Sequence, residues 1–204
     1  MPATKRTIQQ LYSDFSDNTT GEISASDMRN LVASIVGVTG TGWCNHFDNQ
    51  YTSLSKLPVT AGTRTKVTNN SLLSNITEYL PPDASGCWWN PSTNKFMPSN
   101  VGDFYIIRFQ FRCDSAAVQG AYILSELDIG DPGVSGSNIV WQNTSALVRG
   151  QGIEHTFCLT VPAFTMQTFV TNGGEFYITP SHDTNFWDFG IIINRIHRNS
   201  IPLE

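Results

Sequence analysis

Charge is what this sequence has least of. Asp, Glu, Lys and Arg make up 14% of its 204 residues, against roughly 25% in an average soluble protein. Hydrophobic residues make up 40%, so a full core is available and the surface must be covered by Ser, Thr, Asn, Gln and Gly. Such a surface suits extracellular or assembled β-proteins better than a free cytosolic enzyme. The charges present lean negative, 12 basic against 17 acidic, for a net −5. Nucleic-acid binding draws on clustered Lys and Arg that release counterions. The one tight basic group, Arg195, His197 and Arg198, is too small for that, and no nucleic-acid partner is expected. Long apolar runs are missing too. Nothing approaches the ~20 residues of a membrane span. Met1-Pro2-Ala3-Thr4-Lys5-Arg6 leads into polar residues instead of a signal h-region. No membrane partner is expected. Cysteine is sparse: Cys44, Cys87, Cys113 and Cys158 show no C-x-x-C spacing. That points away from a zinc cluster and toward free thiols in a protein made in a cytoplasm. Neither a metal nor a cofactor is expected.

What is present divides at about residue 40. Ile8, Leu11, Tyr12 and Phe15 fall at i, i+3, i+4 and i+7, one stripe of a helix. Met28, Leu31, Val32, Ile35 and Val36 repeat the stripe, with Ser24 placed to cap and Gly37 to stop it. Residues 1–40 are thus predicted to be a helical hairpin, too short for a core of its own and so bound to dock on something. Residues 41–204 change to period two, punctuated by Gly, Pro and Asn, and predict a single β-domain. Leu57–Thr60 and Thr65–Thr68 around Ala61-Gly62-Thr63 suggest a hairpin, and residues 69–100 look irregular. The strongest strand, 104–112, puts Tyr105, Ile107, Phe109 and Phe111 on one face. Further strands are expected at 120–129, 138–142, 145–149, 154–161, 164–171, 175–179 and 187–197. Asn172-Gly173-Gly174 reads as a hairpin turn. Many short strands with no βαβ alternation predict a mainly β fold, an antiparallel jelly-roll sandwich.

Reactive constellations are weak. Between the helices, Ser16, Asn18, Thr20, Gly21, Ile23 and Asp27 imitate an EF-hand loop, but the carboxylates calcium needs at its first and last positions are missing. Gly133-Val134-Ser135-Gly136-Ser137 falls one glycine short of a nucleophile elbow and lies between β-segments. Glu126 and Asp128 share a strand face, yet nothing marks a cleft around them, and a solvated face is the simpler reading. His46, His155, His182 and His197 show no metal-ligand spacing. His155 reads as a core or interface histidine, beside Phe157 and Leu159. Trp88-Trp89 is the best candidate for a sticky surface, since aromatics stack on sugars and fill interface pockets. A large aromatic in a β-protein is more commonly a core plug or a subunit-interface residue. No catalytic residues are assigned, and the protein is not expected to be an enzyme.

The run from Ile8 to Val32, with Asp17-Asn18-Thr19-Thr20-Gly21 at its centre, resembles the short helical segment of tailed-bacteriophage virion proteins of the fibre and decoration type. Leu57–Thr63, Trp89-Asn90 with Asn94-Lys95-Phe96, Gly102–Tyr105 and Asn172–Ile178 are similar to the jelly-roll module that follows it there. The resemblance covers nearly the whole chain and its motifs are loose. It implies a homotrimer around a three-fold axis, anchored to the particle through Ile8, Leu11, Tyr12, Phe15, Met28, Leu31, Val32 and Ile35. The partner would be the major capsid protein or another virion protein, and the location the virion, after synthesis in the bacterial cytoplasm. Shaft repeats and heptads are missing, which favours a capsid decoration, cement or head-fibre protein. The alternative is a short tail-fibre or tail-tip protein binding a host-surface receptor or glycan through Trp88, Trp89 and loops at 131–138 and 180–186.

Overall fold

The computed structural model describes residues 28, 31, 40–81, 84, 87–117, 119–130, 138–148 and 150–199. Alternation of apolar and polar residues builds two long strands, β7 (Phe104–Ser115) and β12 (Thr184–His197), which pair antiparallel at the centre of the larger sheet. β10 (His155–Phe164) lies on the other side of β7. β1 (Gly42–Phe47) lies beyond β12 and carries β4 (Ser74–Ile76) at the edge, giving the order β10-β7-β12-β1-β4. β2 (Leu57–Val59) pairs with the start of β12. The smaller sheet runs β3-β11-β8-β9: β3 (Thr65–Lys66), β11 (Glu175–Pro180), β8 (Tyr122–Asp128) and β9 (Ile139–Ala146). A two-stranded ribbon, β5 (Trp89–Asn90) with β6 (Lys95–Phe96), joins the smaller sheet's end through a bridge from Phe96 to Gly174. Two antiparallel sheets with neighbours far apart in sequence make a jelly-roll-like sandwich.

The core lies between the sheets. Tyr105, Ile107, Phe109 and Phe111 of β7 are all buried, as are Phe189, Ile191 and Ile193 of β12. Ile123, Leu127, Phe176 and Ile178 answer them from the smaller sheet. The rings of Phe109 and Phe176 stack across the gap at 4.9 Å. A bulge in β12 between Trp187 and Gly190 changes the parity of its inward residues, from Phe186 before it to Phe189 after it. Gly190 is required there. A Cβ would come within 2.5 Å of the Phe47 ring and 2.6 Å of Gln110.

Five expectations change. The arms of the 57–68 segment do not pair with each other: β2 joins β12 and β3 joins β11, so this stretch crosses between sheets. The turn at Gly62 (φ 72°) forms, but its amide bonds to Pro180 O at 2.8 Å, pinning it to the β11–β12 connection. Residues 164–171 do not form one strand, because β10 ends at Phe164 and Gln167–Asn172 is a short helix, α1. Helical geometry turns Phe169 into the core against Phe96 at 5.3 Å, and Gly173 (φ 74°) ends the helix instead of making a hairpin. Segments 138–142 and 145–149 merge into β9, and the irregular stretch 69–100 contains β4, β5 and β6.

Candidate functional site

Of the anchoring residues, Met28 and Leu31 are helical, with Met28 exposed and Leu31 half-buried. Ile8, Leu11, Tyr12, Phe15, Val32 and Ile35 lie outside the described residues, as do the EF-hand-like loop and Gly133–Ser137. Trp88 and Trp89 are interior side chains, 2% and 0% exposed, and present no indole face to a ligand. The contact role gives way to the plug role. Trp88 Nε1 donates to Ser99 Oγ at 2.9 Å and Trp89 Nε1 to Asn69 O at 3.1 Å, so burial leaves neither polar tip stranded.

Glu126 and Asp128 are also buried, contrary to the solvated face expected. Arg64 reaches across from the turn before β3, its Nε 2.7 Å from Glu126 Oε2 and its Nη2 2.9 Å from Asp128 Oδ2. Gln142 Nε2 donates to Glu126 Oε1, and the amides of Gly130 and Asn138 donate to Asp128 Oδ1. All four carboxylate oxygens are thus engaged, which is the arrangement of a clamp and not of a general acid with its base. Arg195, a member of the one tight basic group, is buried. It bonds Asp103 Oδ2 at 3.1 Å, with both side chains at 0% exposure, and donates to Gly40 O. His155 is buried, with Nδ1 3.0 Å from Ile153 O and its ring parallel to Phe157.

The chemistry that spacing did not reveal lies beside the tryptophans. Cys44 and His46 are two apart on β1, so the pleat points both toward the interior while Asn45 faces outward and accepts from Ile76 N. Cys87, 41 residues beyond His46, is brought to them by the segment entering β5. Its Sγ lies 2.9 Å from His46 Nε2, and the three potential ligand atoms fall within 4.8 Å of one another. His46 Nδ1 is 3.1 Å from Ser71 Oγ, which sets the ring's orientation. Ser71 holds a positive φ of 59° while its amide donates to Asn69 Oδ1. Asn69 Nδ2 in turn donates to His46 O at 2.9 Å.

The two thiols differ in acidity. A hydrogen bond from Cys44 is the main influence lowering the Cys87 thiol to about 5. Burial opposes it, while His46 and the Trp89 amide assist. Cys44 moves upward, by that same bond and then by burial, although the amides of Trp88 and Ile193 point at its sulfur. All four cysteines are free thiols. The Cys-x-His pair on a strand was the sequence signal available, but its partner cysteine could not be chosen without the fold.

The outward faces of the sheets differ in kind. Across the larger sheet run the rows Cys158–Gln110–Gly190–Phe47, Thr160–Arg108–Ile192–Asn45 and Pro162–Ile106–Asn194–Trp43, ending at the pair Phe164–Phe104. Arg108 is the one charge among them, and the row beyond Cys158–Gln110 carries Arg112, paired with Glu154 and Asp188. Phe164 and Ile196 are 61% and 51% exposed. The smaller sheet carries Lys66, Glu175, Tyr177, Arg64, Glu126 and Asp128 in one connected network. In it the Arg64 guanidinium sits 3.5 Å from the centre of the Tyr177 ring.

No family model matches the chain, and no curated protein does. Solved structures do. One is a structure of Eiger TNF from S. frugiperda, at 9% identity and TM-score 0.45, covering 80% of this chain and 96% of that one. The PRD1 vertex protein P5 follows at 10% identity and TM-score 0.41, covering 78% and 99%. A structure of infectious bursal disease virus, Gx strain, gives 10% identity and TM-score 0.37, covering 77% of this chain and 32% of that one. Likeness at this level carries no argument about function. Among the described residues, no helix is long and apolar enough to cross a membrane.

Proposed function

We propose that this chain is a non-enzymatic structural virion protein of a tailed bacteriophage, a trimeric jelly roll that decorates or cements the capsid or forms a head fibre. It docks through residues 1–40 on the major capsid protein or another virion protein. The observation that supports this reading is the outward face of the larger sheet. From Gln110 to Phe104 that face is apolar and amide-rich with one charge, Arg108, while Arg112, Asp114 and Asp188 lie toward its other end. A surface of the first kind is buried at small desolvation cost, which is how subunit-interface cores are composed. Three copies packed through this face would bury Phe164, Ile196, Ile106 and Ile192, and the smaller sheet with its charges would remain in water. Each trimer seated on a shell stabilises the assembled state by mass action, since it binds the shell and not its separated subunits.

The second reading, a short tail-fibre or tail-tip protein, is favoured by one feature. A cleft of about 330 Å³ is lined by Thr60, Asp114, Gln151, Asp183 and Asn185, a set of hydroxyl, amide and carboxylate groups suited to sugar hydroxyls. Copy number decides between the two. Stained gels of purified virions should show on the order of hundreds of copies for decoration, set by shell symmetry, and far fewer for a tail tip. Light scattering on the purified full chain should give a trimer. A monomer at all concentrations would sink both readings.

A further inference from the structure

We propose that Cys44, His46 and Cys87 form a binding site for one thiophilic cation of the Zn²⁺ class. The site stands independently of the virion reading. The donor set is two sulfurs and one imidazole, the combination that such ions select over harder oxygen-preferring cations. The geometry is close to that of a metal sphere. Tetrahedral Zn–S and Zn–N bonds of about 2.3 and 2.0 Å separate sulfur from nitrogen by about 3.6 Å. The contact between Cys87 Sγ and His46 Nε2 is 2.9 Å, so admitting an ion requires these atoms to part by well under 1 Å.

The surroundings are those of a supported site. Ser71 Oγ holds Nδ1, leaving Nε2 aimed at the sulfurs, which is the arrangement that fixes the tautomer of a ligating histidine. Amides of Trp88 and Ile193 at Cys44, and of Trp89 at Cys87, supply N–H groups that share the charge of sulfur bound to a cation. Trp88 and Trp89 are locked by their own hydrogen bonds and so fix the segment that carries Cys87. Cys44 and His46 are fully buried and Cys87 is half-buried, and with three protein donors the fourth place of a tetrahedral ion would fall to a water. The bound ion would tie the edge-side strand β1 to the start of the β5–β6 ribbon, segments otherwise joined through side chains.

The test is Zn²⁺ binding to the full-length protein, purified under reducing conditions and stripped with a chelator. One Zn²⁺ per chain should bind, and Co²⁺ should give the near-ultraviolet absorption of thiolate-to-cobalt charge transfer. Zn²⁺ should protect Cys87 of the unaltered protein from alkylation while Cys158, exposed on β10, still reacts. Cys87→Ser should abolish the charge-transfer band, Ser71→Ala should weaken binding about 10- to 100-fold, and Cys158→Ser should change nothing. A reduced, folded protein that takes up no Zn²⁺, or one whose uptake survives Cys87→Ser, overturns the proposal. So does a protein isolated two hydrogens lighter through a Cys44–Cys87 disulfide that binds no Zn²⁺ after reduction.

Discussion

The two outward sheet faces belong to one sandwich and solve opposite problems. On the smaller sheet, Arg64, Glu126, Asp128, Tyr177, Glu175 and Lys66 bond to one another, so charge is held within the chain and needs no partner. On the larger sheet the ion pairs of Arg112 with Glu154 and Asp188 lie at one end, and from Gln110 to Phe104 Arg108 is the one charge, with Phe164, Ile196 and their neighbours protruding. A face that internalises its electrostatics is finished as a monomer. A face of amides, prolines and aromatics is the one that gains by being covered.

The largest effect expected from breaking this contrast is on assembly. Ile106→Asp places a carboxylate mid-row on the larger sheet, and in a trimer that charge would be buried three times without a counter-ion. Sedimentation should show loss of the trimer with an unchanged monomer melting curve, whereas an intact trimer would move the interface elsewhere. Next is Arg64→Met, which strands two carboxylates that are 5% and 6% exposed. Denaturant unfolding should report a loss of about 3–5 kcal/mol, the usual cost of removing one partner from a buried ion group. Its assembly should be unaffected, and a loss below 1 kcal/mol would show that the clamp is solvated.

A smaller effect follows from Glu175. Burial alone would raise its pKa, but the bonds from Lys66 and Tyr177 and the nearby charge of Lys95 bring it below 4.5. Its folded pKa is therefore depressed. Its stabilising contribution is present above the ordinary carboxylate value and disappears as pH falls through the folded one. Glu175→Gln should flatten the acid limb of the stability profile below about pH 4.5. An unchanged limb would assign the acid sensitivity to other carboxylates. The smallest effect sharpens the contrast instead of breaking it. Thr156→Lys on exposed β10 should change monomer stability by less than about 0.5 kcal/mol, and any change in trimer dissociation would map the interface edge.

The period-two pattern made the jelly-roll sandwich legible, because alternation on a strand is a local property that burial of one face enforces. Tyr105–Phe111 and Phe189–Ile193 faced inward as their spacing required. Failures came where tertiary partners outbid local ones. Leu57–Thr68 had the turn of a hairpin, yet each arm met a longer strand. Phe169 was drawn into a helical turn by Phe96. Glu126 and Asp128 looked solvated until Arg64 arrived from 62 and 64 residues away.

By itself, then, the sequence determined the mainly β architecture, the shortage of surface charge and the inward faces of β7 and β12. Each of these is set by composition or by neighbours within a few residues. The tertiary structure alone decided that two tryptophans would be plugs, that an acid pair would be clamped, and that Cys87 would meet Cys44 and His46. Those outcomes depend on which distant segments the sandwich stacks together, and no local periodicity encodes a contact across 41 residues.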